Sequence, residues 1–231
     1  MKNSPALFFI FILVVIAKYN LSFTKKEKVF EEVNGVIAVE AEHYVKQKKT
    51  SKRKWYLQST SDSVNIQPDK DSNHANDASG NAYMEILPDT RVTHDDSLIH
   101  GLNFTNKPGR MAVLDYKVYF NTPGRYYVWV RTHTSGSEDN GVHVGIDGTW
   151  PESGQRMQFW GNSPRWQWQS RQRTSEVHTG VEKLIYLNVP NAGLHTISFS
   201  MREDGFEFDK WAMEKEFKRP EDNGPAERHK K

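Results

Sequence analysis

Apolar side chains recur at every second position through much of this chain. In Gly193–Met213 (GLHTISFSMREDGFEFDKWAM), Ile197, Phe199 and Met201 alternate with Thr196, Ser198 and Ser200, the two-residue period of a strand with one buried face. Arg202-Glu203-Asp204-Gly205 follows as a polar turn, since glycine takes up a positive φ without steric cost, and Phe206–Met213 returns as a second strand. The same pattern predicts strands over Val36–Tyr44, Trp55–Gln58, Tyr83–Leu87, Met111–Phe120, Arg125–Thr134, Val142–Ile146, Arg165–Arg173 and Lys183–Val189. Turn signals lie between them, among them Asn121-Thr122-Pro123-Gly124, Asp147-Gly148 and Asn191-Ala192-Gly193, and no stretch keeps a helical period. Roughly ten short strands so punctuated predict an all-β fold, a β-sandwich.

The ends of the chain read differently. Ala6–Ala17 (ALFFIFILVVIA) is an unbroken apolar run of the length of a signal-peptide core, short of the roughly 20 residues a spanning helix needs. Residues 1–22 are therefore expected to be a signal peptide, with an uncleaved anchor as the alternative, and the protein to be exported to the periplasm or beyond the cell. Residues 33–214 are expected to form the sandwich, and 215–231 (KEFKRPEDNGPAERHKK) a charged, disordered tail with no apolar period.

Composition narrows the chemistry. Removing Lys2 and Lys18 with the leader leaves 29 basic against 29 acidic side chains, which argues against nucleic acid as a partner. No membrane partner is expected once the leader is gone, and the sequence leaves the oligomeric state open. There is no cysteine, so disulfides, thiolate metal sites and cysteine nucleophiles are excluded. Seven Trp, nine Tyr and twelve Phe suit both an all-β core and a sugar-binding surface.

Strand geometry then places candidate residues. Period two puts Glu40 and Glu42 on one face of Val36–Tyr44, where two carboxylates repel unless a cation lies between them. Asp209 sits inside an aromatic strand and needs a partner. Lys46–Lys54 is a basic run read as a solvated loop, and Asn103-Phe104-Thr105 is a glycosylation sequon. Trp129 and Trp211, embedded in apolar strands, read as core. Trp160, beside Gly161-Asn162, reads as an exposed platform, and Trp166 and Trp168 share one strand face.

EAEHY near the start, YYVWVR in the middle and GLHTISFSMREDGFEFDKW near the end resemble the carbohydrate-binding modules of families 6 and 35. They are more similar still to the domain at the C-terminus of family 115 glycoside hydrolases, over about Val33–Met213. The resemblance implies a jelly-roll sandwich (galactose-binding-domain-like) with a structural calcium between the first and last strands, carried by Glu40, Glu42 and Asp209. It also implies sugar binding at a loop rim, where Asn140, Trp160, Trp166, Trp168, Arg202, Glu203 and Asp204 occupy matching places.

The expected function is recognition of an oligo- or polysaccharide. Arg131, Arg165, Arg171, Arg173 and Arg202 would suit an acidic or sulfated algal glycan through bidentate contacts. The alternative is a small lyase or dehydratase acting on uronic-acid-containing oligosaccharides. It would draw on His133, Arg131 and Tyr127, which alternate onto one strand face, with His94 and Glu203 in support. Glu203 with Glu138 or Asp139 would be the carboxylate pair of a glycoside hydrolase.

Overall fold

The computed structural model of the chain describes residues 28–48, 52–134, 136–160 and 165–231. The signal-peptide reading, the centre of the basic run and Gly161-Asn162 lie outside the described residues. Strands run in chain order as β1 (Val29–Glu31), β2 (Val36–Glu40), β3 (Lys46–Lys48), β4 (Lys54–Ser59), β5 (Ala82–Leu87), β6 (Val113–Phe120), β7 (Gly124–His133) and β8 (Gly141–Ile146). They continue as β9 (Met157–Gln158), β10 (Gln167–Gln169), β11 (Arg171–Gln172), β12 (Val181–Glu182), β13 (Tyr186–Val189), β14 (Gly193–Met201) and β15 (Glu207–Glu214). One sheet has the order β1-β6-β14-β8-β9-β11-β12 with β3 on β6; the other has β10-β7-β15-β5-β4 with β13 on β7 and β2 on β15. This is the β-sandwich that the alternation predicts, of the jelly-roll form that the family resemblance implies.

The inner faces carry the apolar positions of the strand pattern. Tyr116 and Phe199 from the first sheet meet Phe208 and Trp211 from the second, with ring centroids 4.9–5.5 Å apart. All four side chains are fully buried, and such aromatic clusters supply much of a sandwich core. The two ends of the chain join as expected: β2 runs antiparallel to β15, with Val36 opposite Glu214 and Glu40 opposite Lys210.

Alternation fails where a segment changes sheet or partner. The strand predicted over Val36–Tyr44 stops at Glu40, and Ala41–His43 is a single 3-10 turn. Glu40 and Glu42 are therefore not neighbours on one strand face. The strand predicted over Arg165–Arg173 breaks at Ser170, so that β10 pairs with β7 in the second sheet while β11 pairs with β9 and β12 in the first. β15 is buried from Glu207 through Met213, because the outer face of the second sheet is covered as well as the inner one.

Part of that cover is the C-terminal segment, which is not the disordered tail expected of it. Phe217 packs on Trp129 and Tyr127, with centroids 4.8 and 5.2 Å apart. The Trp168 indole N–H donates to Asp222 O at 3.0 Å. Gly224 passes so close to the same indole, at φ +70°, that a Cβ there would lie 2.4 Å from it. Farther on, Glu227 Oε1 accepts from the Glu40 N–H at 2.7 Å, and Glu31 N–H and Lys230 N–H bond to Arg228 O and Val29 O. Single anchors spaced along an irregular path, not an apolar period, hold the strap.

Candidate functional site

The polar turn between β14 and β15 forms one wall of a cleft of about 430 Å³ at a rim of the sandwich. Arg202 and Glu203 pair directly, both almost fully buried. Arg202 Nη1 donates to Gln158 Oε1 at 2.8 Å, Gln158 Nε2 donates to Asn140 Oδ1, and the Asn140 N–H donates to Glu203 Oε2 at 3.1 Å. The ring of interactions closes over Gly141, where a Cβ would lie 2.8 Å from Arg202 Nη1. A second buried pair, Arg91 with Glu138, faces it across the cleft, and His94 Nδ1 lies 3.0 Å from Glu138 Oε1. Burial pushes the Glu203 carboxyl above its ordinary value and the Arg202 guanidinium below its own, and each partner's charge opposes the shift.

Trp160 stands at the mouth with its side chain 60% exposed. Its backbone is fixed, because the Trp160 N–H donates to Gln169 Oε1 at 3.0 Å and Gln169 Nε2 donates to Trp160 O at 3.1 Å. The same indole lines a second cleft of about 460 Å³ with Arg171, Glu182 and Arg219. Arg173 and His178 complete the first cleft; Arg173 makes no ion pair among the described residues, and its guanidinium donates to His178 O at 3.4 Å.

Four of the seven residues expected to bind sugar, Asn140, Trp160, Arg202 and Glu203, meet in this cleft. The other three do not. Asp204 turns away and is fully buried, its Oδ2 accepting from Arg53 and from the Thr90 N–H and hydroxyl at 2.8–3.0 Å. It anchors the 88–91 segment rather than facing the rim. Trp166 is buried against Tyr83 and His133, and Trp168 lies beneath the C-terminal strap. Both indoles share the outer face of the second sheet, as their spacing says, but that face is covered. Arg173, one of the arginines read as suited to an acidic glycan, does line the cleft, whereas Arg91 and Gln158 were missed; they lie in an irregular segment and at a strand end, where no period marks them.

The lyase set is not assembled. Arg131 is held by Asp209, and His133 lies beside Glu207. Tyr127, six residues up the same strand and so about 20 Å away, packs against Tyr186 and Phe217. The hydrolase pair fares differently: Glu138 and Glu203 both line the cleft, each tied to an arginine.

The three expected calcium ligands lie near one another where β2 meets β15. Glu40 Oε1 accepts from Lys210 Nζ at 2.8 Å and Ser79 Oγ at 2.9 Å. Asp209 sits at a register shift in the β15–β7 ladder and accepts from Ser79 N–H and Arg131. Cationic side chains thus already meet two of the carboxylates. Even so, Glu40 Oε2 and Glu42 Oε2 are buried with no hydrogen-bond partner. Burial, with Glu40 and Asp209 adding to it, pushes the Glu42 carboxyl up to about 8, and burial pushes Asp209 up to about 7 against the pull of Arg131. Hard oxygen donors with two orphaned lone-pair sites fit a calcium ion.

The family model for the glycosyl hydrolase family 115 C-terminal domain matches residues 69–227. The chain is 52% identical over 219 residues to "Uncharacterized protein P23" of Formosa agariphila, a match that covers 92% of this chain and 53% of that protein. The chain thus spans about half the length of this curated relative. Among solved structures it is similar to a family 35 carbohydrate-binding module from Clostridium thermocellum, at 13% identity and a TM-score of 0.42, covering 77% of this chain and 96% of that one. It is also similar to the Podospora anserina GH26-CBM35 β-(1,4)-mannanase, at 11% identity and a TM-score of 0.46, covering 82% of this chain and 29% of that one.

Proposed function

The chain belongs to the family of glycosyl hydrolase family 115 C-terminal domains, and on that premise we propose that it is an exported carbohydrate-recognition domain whose ligand lies in the rim cleft against Trp160. The observation that carries the proposal is the pairing, in one cleft, of an exposed indole on a fixed backbone with buried hydrogen-bonding side chains behind it. Sugar rings stack their C–H faces on aromatic rings, while their hydroxyls take hydrogen bonds from amide and charged groups.

The ligand is an acidic glycan, carrying uronate or sulfate. Arg91 and Arg202 are neutralised by Glu138 and Glu203, which leaves the Arg173 guanidinium as the uncompensated charge of the cleft among the described residues. One carboxylate or sulfate group would complete it. A calcium ion held by Glu40, Glu42 and Asp209 would stabilise the junction of β2 with β15; it supplies positive charge to buried carboxyl oxygens and takes no part in binding the sugar.

Calorimetric titration with uronate-containing and sulfated oligosaccharides tests the reading, with the recovered sugar weighed by mass spectrometry. Trp160→Ala is expected to weaken binding about tenfold or more, and Arg173→Ala to weaken acidic ligands selectively over neutral ones. A sugar returned with altered mass would replace recognition with the lyase alternative, and an unchanged affinity in Trp160→Ala would remove the cleft from consideration. For the metal, Ca²⁺ added to stripped protein is expected to raise the Tm of the wild type but not of Glu42→Gln.

A further inference from the structure

A second group of side chains, used by neither the cleft nor the calcium reading, converges on the outer face of the second sheet. Glu207 begins β15, His133 ends β7 directly opposite it, and His74 comes from the polar segment folded over both. His74 Nδ1 lies 2.8 and 2.9 Å from the two oxygens of Glu207, and His133 Nδ1 lies 3.0 Å from Glu207 Oε2. The two imidazoles face each other with centroids 3.7 Å apart and a tilt of 23°.

Two features separate this from an ordinary charged pair. His133 is 5% exposed, and although its Nδ1 is close to the carboxylate it is not aligned to donate, so that it has no hydrogen-bond partner. His74 Nε2 lies 3.1 Å from Ser72 Oγ, a bond that either neutral tautomer makes because the hydroxyl both donates and accepts; in the Nε2–H tautomer the Nδ1 lone pair faces Glu207. A lone pair facing a carboxylate oxygen repels it unless a proton or a metal ion lies between. Three ligand atoms from three separate segments lie within 4.8 Å of one another.

We propose that His74, His133 and Glu207 bind one divalent transition-metal ion of the zinc class. Two imidazoles and one carboxylate are the donors of a borderline ion, whereas calcium and magnesium take oxygen throughout. Three protein ligands leave a fourth position for water on the side where His74 is partly exposed. A single ion lies in the plane of both rings only if they splay from the present stack, and His74, 21% exposed against 5% for His133, is the ring with room to turn. The ion braces two cleft walls at their roots, since His133 leads into the segment bearing Glu138 and Asn140, and Glu207 follows the Arg202–Gly205 turn.

The test uses untagged full-length protein stripped with a chelator and dialysed. Titration with Zn²⁺ is expected to show one equivalent bound, and Co²⁺ to give the visible absorption of a low-coordinate nitrogen–oxygen site. Zn²⁺ affinity is expected to fall at least a hundredfold in His133→Ala and in His74→Ala, and excess Ca²⁺ is expected not to compete. His74 lies on the covering segment, so His74→Ala keeps the test decisive if His133→Ala fails to fold. His229→Ala, which disrupts the His43–Glu227–His229 group near the chain end, is expected to leave Zn²⁺ affinity unchanged. Absence of Zn²⁺ binding by the wild type, or full affinity in His74→Ala, would overturn the proposal.

Discussion

At Arg202–Glu203, just past β14, each buried charge meets an opposite one and the pair lines an open cleft; at Glu207–Asp209, a few residues on, buried carboxyls lie close together under a covering segment. In the cleft Glu203 accepts from Arg202 and the Asn140 N–H, and Arg202 passes on to Gln158. Along β15 the carboxyls Glu40, Glu42, Glu85, Glu207 and Asp209 gather around Arg131, Lys210 and two histidines, and two of their oxygens lack any partner. The contrast separates two uses of buried charge. A compensated network at a surface keeps its polarity available to a ligand, whereas crowded carboxyls in the interior tie strands together and are relieved by protons or cations.

The most severe way to break the comparison is to remove one partner from the interior set. Asp209→Ala leaves the Arg131 guanidinium, 7% exposed, without its carboxylate. Loss of one member of a buried pair costs about 3–5 kcal/mol, to be read as a shift in the urea midpoint. Asp209→Ala combined with Arg131→Met is expected to recover much of that loss, since an apolar replacement of both partners avoids the stranded charge. If the single variant is as stable as the wild type, the interior set is not what joins β15 to its neighbours.

A second experiment sharpens the cleft side. His143 lies on β8 behind the cleft, fully buried, with Nε2 3.0 Å from Thr105 O and Nδ1 accepting from the Arg156 N–H at 3.0 Å. Both ring nitrogens are thus used by the neutral tautomer, and burial, with help from the charges of Arg202 and Arg156, lowers the His143 pKa to about 3. The unfolded chain takes up this proton near pH 6.5 and the folded one does not. Its contribution to stability is therefore fully present above pH 6.5 and is lost as pH falls toward 3, at a limiting slope of about 1.4 kcal/mol per pH unit. Unfolding free energies measured from pH 7 to pH 4 are expected to fall more steeply in the wild type than in His143→Gln. Equal slopes would show that the ring is protonated in place.

How far the sequence foretold this arrangement depends on what each residue answers to. β14 and β15 were legible because Ile197, Phe199 and Met201 obey a local period, and the adjacency of β2 and β15, though not their register, was expected from the family resemblance. Trp166 and Trp168 show the limit of that signal: their spacing gives a shared face but is silent on what covers it, and the cover comes from His74 and Asp222, far away in sequence. The C-terminal strap was missed for the same reason, since Phe217 and Gly224 each act singly. In the cleft, Arg202 and Glu203 were marked by their turn and Arg173 by its charge, but Arg91 and Gln158 answer only to partners in three dimensions. The meeting of His74 with Glu207 spans 133 residues, and no local pattern encodes it.

The smallest expected effect separates recognition from architecture most cleanly. Trp160 and Trp168 lie eight positions apart in the sequence and line the same second cleft, yet one indole is 60% exposed and the other 3%. Trp168 packs with Trp129 beneath the strap, so Trp168→Ala is expected to cost about 3–5 kcal/mol. Trp160→Ala removes no packed contact of the core, and the backbone clamp from Gln169 survives because it uses only the main chain of residue 160. Its unfolding free energy is expected to stay within about 0.5 kcal/mol of the wild type. A large exposed indole held in place without contributing to stability is accounted for by what docks on it. Should thermal or urea unfolding instead show Trp160→Ala to be as damaging as Trp168→Ala, the ring belongs to the fold, and the rim cleft loses its platform.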